Sequence, residues 1–111
     1  MKDPKEIRVL TIDDDPDILY TLDQICSFQG WKALLAEDYR HAMSYIQQKE
    51  LSIILVDYHL PGTDGVEIVR QIRRTLSDIP ILVLTIEENE EIMEQFMQAG
   101  ATDYALKPIK A

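Results

Sequence analysis

The chain predicts an α/β protein with a doubly wound, five-stranded parallel sheet, and three observations carry that reading. Short apolar runs alternate with segments of helical periodicity along the whole 111 residues. The central run Ile53–Val56 is apolar without polar alternation, as expected of a strand covered on both faces. Four runs end on a group suited to a metal ion or a phosphoryl group. Val9–Ile12 ends at Asp13 and Asp14, Ile53–Val56 at Asp57, Ile81–Leu84 at Thr85, and Tyr104–Leu106 at Lys107. Ligands of open parallel sheets bind just beyond the carboxyl ends of the strands. Parallel pairing would therefore gather carboxylates, a hydroxyl and an ammonium into one crevice.

Each element has a local reason. Ile7–Ile12 reads as a buried strand. Asp15 followed by Pro16 starts a helix, an N-cap with proline at the first helical position. Ile18, Leu19, Leu22, Ile25 and Cys26 recur along it at helical spacing, and Gly30 stops it. Trp31–Ala36 is the second strand, and Tyr39–Lys49 the second helix, with Ala42, Met43 and Ile46 inward. Ser52–Val56 is the third strand. The turn Leu60-Pro61-Gly62-Thr63-Asp64-Gly65 leads into a helix carrying Val66, Val69, Ile72 and Leu76. Asp78 and Pro80 break the chain before the strand Ile81–Leu84. Asn89 caps a fourth helix ending at Gly100, and Asp103–Leu106 is the last strand. Strands alternating with helices in this way demand a doubly wound sheet with right-handed crossovers.

A sheet of this kind needs helices on both faces, yet only Ile109, Lys110 and Ala111 follow Pro108. The expectation is a chain cut before a fifth helix, with cover by a neighbouring copy as the alternative.

Composition removes several classes of function. One domain is the expectation at this length, and 46% hydrophobic residues suit a packed core. A net charge of −9 argues against nucleic-acid binding by this segment and against docking on anionic membranes. No apolar run approaches the roughly 20 residues that span a bilayer. The start Met1-Lys2-Asp3-Pro4 lacks a signal-peptide core. The single cysteine, Cys26, cannot form an internal disulfide, and the cytoplasm is the default compartment.

Taken singly, the strand-end residues have ordinary explanations. Asp13 and Asp14 could complement a helix dipole, Asp57 could end a strand, Thr85 could be a β-branched strand residue, and Lys107 could be a solvated lysine. Asp15 is the N-cap. His41 reads as a surface residue and Cys26 as core. Ile92, Met93, Phe96 and Met97 occupy more than one face of the fourth helix, so one pair packs inward and the other is left for a partner. All four strand ends carrying such groups together is a joint coincidence under the ordinary readings. Three crowded carboxylates repel and raise a pKa, which a hard divalent cation relieves. Mg²⁺ uses carboxylates, waters and phosphate oxygens. With a lysine and a hydroxyl beside it, the cluster becomes a cradle for a phosphoryl group.

Here the sequence resembles the receiver domain of two-component response regulators, from Ile7 to Pro108. The resemblance rests on Thr11-Ile12-Asp13-Asp14-Asp15-Pro16, Leu55-Val56-Asp57, Leu60-Pro61-Gly62-Thr63-Asp64-Gly65, Leu84-Thr85 and Gly100-Ala101-Thr102-Asp103-Tyr104-Ala105-Leu106-Lys107-Pro108. It implies a flavodoxin-like sheet of strand order 2-1-3-4-5, with residues 1–111 a receiver cut before the last helix and any output domain. Asp57 is then the phosphoacceptor, taking a phosphoryl group from a sensor histidine kinase, a phosphotransfer protein or a small phosphodonor. Mg²⁺ is ligated by Asp14, Asp57 and the main-chain carbonyl of His59, with Asp13 acting mainly through water. Lys107 contacts the phosphoryl oxygens and precedes a cis bond to Pro108. Thr85 bonds the attached group, and Tyr104 is the aromatic switch residue that swings inward when Thr85 moves. Such a domain is a switch with self-catalysed phosphorylation and slow autodephosphorylation, not a turnover enzyme. An output segment after residue 111 and a homodimer both fit this family.

Three departures stand out. Ile86 follows Thr85 where the family usually has a small residue. His59 and Glu87 occupy positions that influence dephosphorylation rate, and slow self-hydrolysis is the expectation. The last helix is missing. Two rival functions are kept in view. One is a Mg²⁺-dependent phosphohydrolase of the haloacid dehalogenase type, since Asp13 and Asp15 have its nucleophile spacing. Pro16-Asp17 does not fit that motif, and the chain is short for it. The other is a receiver-like interaction module that is never phosphorylated.

Overall fold

The computed structural model describes residues 6–58, 60, 64–86 and 89–107. Strands and helices alternate along it: β1 (Arg8–Ile12), α1 (Pro16–Gln29), β2 (Lys32–Ala36), α2 (Tyr39–Gln48), β3 (Ile53–Asp57), α3 (Gly65–Thr75), β4 (Ile81–Thr85), α4 (Glu90–Ala99) and β5 (Asp103–Leu106). All neighbouring strands pair in parallel, in the order β2-β1-β3-β4-β5. The register sets Ile12 beside Val56, Asp57 beside Leu84, and Thr85 beside Leu106. The carboxyl ends of β1, β3, β4 and β5 thus finish level with one another.

The helices begin where short polar side chains satisfy the first free N–H groups. Asp15 accepts from Asp17 N at 2.9 Å, Asp38 from His41 N at 2.8 Å, Asp64 from Val66 N at 2.9 Å, and Asn89 from Ile92 N at 3.2 Å. Several ends differ by a residue from the sequence expectation, each for a visible reason. Trp31 joins the cap of α1 rather than β2, because its N–H donates to Cys26 O at 2.8 Å behind the left-handed Gly30. Ser52 flanks β3: its N–H donates to Arg8 O at 2.8 Å and its hydroxyl accepts from Arg8 N at 2.9 Å. β4 runs on through Thr85. In α3 the expected inward set lacked Ile68, which is fully buried, while Val66 and Leu76 are only half-buried.

Alternate strand residues feed two unequal cores. Leu10, Ile12, Ile54, Val56, Ile81 and Val83 pack against Ala42 and Ile46 of α2, Ile68, Val69 and Ile72 of α3, and Met93 and Phe96 of α4. On the opposite face Val9, Leu55 and Leu84 meet Leu22 and Cys26 of α1, with Ile53, Leu82 and Ala105 only partly covered. Among the described residues this second face carries one helix, and residues 108–111 lie outside them. Among the described residues no helix is long and apolar enough to cross a membrane.

Two glycines close helices at positive φ under different conditions. Gly30 (φ +78°) faces open space, whereas a Cβ on Gly100 (φ +119°) would lie 3.0 Å from Arg73 Cγ and 3.2 Å from Arg73 Cβ. Gly30→Ala should cost roughly 1–2 kcal/mol, the penalty for a left-handed residue with a side chain. Gly100→Ala should cost more, because overpacking adds to backbone strain. Urea unfolding of the two variants checks this order, and equal losses would contradict it.

Candidate phosphoryl and metal site

The level strand ends bring Asp13, Asp14, Asp57 and Lys107 together. Asp13 N still donates to Ala36 O at 3.0 Å, which extends the β1–β2 ladder by one residue and turns the carboxyl into the protein. Its Oδ1 accepts from Asp15 N at 2.9 Å. From the other side of the sheet, Lys107 N donates to Thr85 O at 2.8 Å and fixes the backbone from which its side chain reaches back. Its Nζ lies 3.1 Å from Asp13 Oδ2 and 3.0 Å from Asp57 Oδ1. One ammonium therefore bridges carboxylates from the first and third strands, both almost fully buried at 0% and 4% exposure. Asp14 is exposed, and one carboxylate oxygen from each of Asp13, Asp14 and Asp57 lies within 4.8 Å of the others. An open hollow of about 510 Å³ lies over these groups, walled by Asp13, Asp14, Asp15, Pro16, Asp57, Ile86 and Lys107.

A family model described as the response regulator receiver domain matches residues 9–111. The chain belongs to the response regulator receiver family. It is 37% identical over 102 residues to the response regulator MprA of Mycolicibacterium vanbaalenii, covering 92% of this chain and 44% of that protein. The chain thus spans less than half the length of the curated relatives it matches. The chemotaxis protein CheY4 of Vibrio cholerae superposes with a TM-score of 0.89 at 28% identity, covering 95% of this chain and 89% of that one. A response regulator of Burkholderia pseudomallei, solved with a phosphorylated aspartic acid, a calcium ion and citrate, gives a TM-score of 0.87 at 26% identity. The match covers 95% of this chain and 62% of the Burkholderia one.

Within this receiver domain the electrostatics of the crevice are uneven. Burial holds the Asp13 carboxyl above its usual range. The Asp15 N–H and Lys107 pull it down, and the Asp57 charge pushes it further up. Burial pulls Lys107 down, but its bonds to Asp57 and Asp13 more than reverse this, and its pKa is raised. The Lys107 contribution is therefore complete at neutral pH and fades only as pH rises past the ordinary lysine range of about 10.4. Asp13 has the opposite consequence. Its ionisation costs stability at neutral pH, and that cost is relieved as pH falls through its raised value. Three clustered oxygen ligands, one exposed to solvent, suit a hard cation such as Mg²⁺.

The remaining expected residues are placed less directly. Thr85 is 1% exposed at the end of β4 and is not part of the hollow's wall. Tyr104 is 42% exposed and, with Asn89, Glu90 and Met93, lines a separate hollow of about 240 Å³. Asp15 is occupied as the cap of α1, as its position before Pro16 implies. Met93 and Phe96 are the inward pair of α4, leaving Met97 exposed and Ile92 half-buried. His59, Glu87, Pro108 and the turn 61–63 lie outside the described residues.

Sequence reasoning missed two residues with structural weight. The Thr11 hydroxyl is buried with no hydrogen-bond partner among the described residues, which costs about 1–3 kcal/mol. Only the β-branched shape of Thr11 was legible from its neighbours. Arg73, whose guanidinium caps two helix ends, gave only the weak signal of a basic residue near a helix C-terminus.

Lys107→Met should destabilise the domain by about 3 kcal/mol near neutral pH, since it leaves two buried carboxylates unpaired. The loss should shrink as pH falls through the raised Asp13 value, below which the protonated carboxyl no longer needs the ammonium. Chemical denaturation of both proteins from neutral pH into the acid range measures this, and an undiminished loss at acid pH would refute it.

Proposed function

We propose that this receiver domain accepts a phosphoryl group on Asp57 in a Mg²⁺-dependent reaction and changes conformation to control an output. The observation that supports this best is the Lys107 ammonium spanning Asp13 and Asp57 at 3.1 and 3.0 Å beneath an open hollow. An Asp57 carboxylate oxygen attacks phosphorus, and the bond to the donor breaks. With a sensor kinase or phosphotransfer protein as donor, the P–N bond electrons stay on the histidine nitrogen, which takes up a proton. Lys107 already lies within hydrogen-bond reach of Asp57, so its charge faces the incoming phosphoryl oxygens without rearrangement. Asp14 and Asp57 would hold Mg²⁺, with Asp13 acting through water and the His59 carbonyl completing the set. Bound there, the ion offsets charge on the phosphoryl oxygens.

The product adds roughly −1.5 to −2 of charge and new acceptor oxygens at the mouth of β3. Thr85 ends the neighbouring strand, so its hydroxyl is the group to be drawn toward that anion. Tyr104 lines a hollow with Asn89, Glu90 and Met93, and would be the ring that answers such a movement. The cytoplasm is the compartment where a kinase would meet this domain. An output under its control and a homodimer both fit this reading.

Incubation with acetyl phosphate and Mg²⁺ should add one phosphoryl mass, mapped by peptide mass spectrometry to Asp57 and absent in Asp57→Asn or after chelation. Continuous release of phosphate would point instead to a phosphohydrolase, and no reaction at all to an interaction module. Ile86 stands 66% exposed on the wall of the hollow, where its side chain shields the phosphoryl position from water and donors. Ile86→Ala should therefore speed both uptake and hydrolysis by roughly tenfold, equivalent to about 1.4 kcal/mol of barrier. Single-turnover decay of the phosphorylated protein reads this, and unchanged decay would remove Ile86 from that role.

A further inference from the structure

We propose that α4 is a lever pinned at its C-terminal end, so that it opens from its N-terminal end, with Arg73 as the pin. The link to signalling rests on the phosphoacceptor reading above, whereas the pin itself is a property of the resting fold. Arg73 projects from α3, and its Nε and Nη2 donate to Gly100 O at 3.0 and 2.6 Å. Its Nη1 donates to Ile79 O at 2.6 Å, Leu76 O at 3.1 Å and Ser77 O at 3.2 Å. One guanidinium therefore binds the end of α3, the approach to β4 and the cap of α4 into a single knot of charge-assisted bonds. The close approach of Gly100 to the Arg73 stem leaves no room for a side chain there. Just beyond, Thr102 N donates to Ile81 O at 2.8 Å and Thr102 Oγ1 accepts from Ile81 N at 3.0 Å, which fastens the exit of α4 to the first residue of β4.

The other end of α4 is held differently. Among the described residues its first turn is tied by its own cap, Asn89, through Ile92 N at 3.2 Å and Met93 N at 2.9 Å. Glu90 and Glu91 are exposed, and the hollow of about 240 Å³ beside Asn89, Glu90 and Met93 gives that turn space to enter. Between the two ends, buried Phe96 meets the ring of Tyr58 edge-on at 5.5 Å, one residue past Asp57. A displacement at the end of β3 that reaches α4 through Tyr58 and Phe96 then turns the helix about its fixed C-terminal end.

Amide hydrogen exchange on the full chain, read by residue, tests this. In the resting wild type, amides 97–100 should exchange about tenfold more slowly than amides 93–95, the effect of one charge-assisted hydrogen bond. Arg73→Met should abolish that difference by releasing the C-terminal half alone, and Arg73→Lys should retain part of it. Equal exchange at the two ends of the wild type, or an Arg73→Met protein that keeps the difference, would overturn the pin. A purely global loss of stability would accelerate both ends together and counts against it as well. If Arg73→Met does not fold, the wild-type pattern and Arg73→Lys still decide. After acetyl phosphate and Mg²⁺, changes should be confined to amides 89–95, and equal changes at both ends would overturn the lever. Should no phosphoryl mass reach Asp57, the phosphoacceptor reading fails while the resting exchange pattern still judges the pin.

Discussion

The parallel register creates an electrostatic problem that one lysine settles. Pairing Ile12 with Val56 sets the next residues of two strands, Asp13 and Asp57, side by side and out of water. Two buried carboxylates in contact are costly unless a cation stands between them. Lys107 supplies that cation from the far end of the chain, and its backbone bond to Thr85 O ties its position to the end of β4. The crevice is thus the one place where β1, β3, β4 and β5 must agree on register. A slip of a single strand would separate the ammonium from one of its partners.

Much of this was legible from the sequence because the signals are local. Asp15-Pro16 and Asn89 mark helix starts, and Gly30 and Gly100 mark helix ends, by backbone chemistry that operates within a few residues. The strand ends carried the residues of the candidate site themselves, and the strand order came with the family resemblance those residues carry. What escaped depends on distant neighbours. Trp31 has a strand-like composition, yet the left-handed turn at Gly30 commits its N–H to Cys26. Ile68 became core because the large apolar layer covers a wider arc of α3 than a single stripe. The bonds of Arg73 go to carbonyls as far as 27 residues away, which no local periodicity encodes. The burial of Thr85 likewise reflects its neighbours in β3 and β5, not its own character.

The junction of β3, α3 and α4 depends on the absence of a side chain. A Cβ on Gly65 would stand 3.0 Å from Tyr58 O and 3.2 Å from the Phe96 ring. Gly65 therefore lets the start of α3 approach the strand that carries Asp57 and lets Phe96 sit under both. The result is a dense contact on one side of Asp57, on the large core, while the smaller core on the α1 face keeps Ile53, Leu82 and Ala105 only partly covered. Interiors at native density transmit displacement, because their packing has few intermediate arrangements. A perturbation at Asp57 is thus more readily passed to α4 than to the α1 face.

Charge counting links the metal to the phosphoryl group. Asp13, Asp14 and Asp57 set three carboxylates against one ammonium, and the Asp13 pKa is raised mainly by burial, with the Asp57 charge adding to it. Lys107 already engages one oxygen of Asp13 and one of Asp57, and Asp15 N bonds the other Asp13 oxygen, so exposed Asp14 and the second Asp57 oxygen are the better placed for a further cation. A phosphoryl group would bring roughly −1.5 to −2 of additional charge. Without a divalent ion, that group would enter a site that already repels its own carboxylates. The proposed Mg²⁺ requirement and the proposal of Asp57 as acceptor are therefore a single electrostatic claim about this crevice.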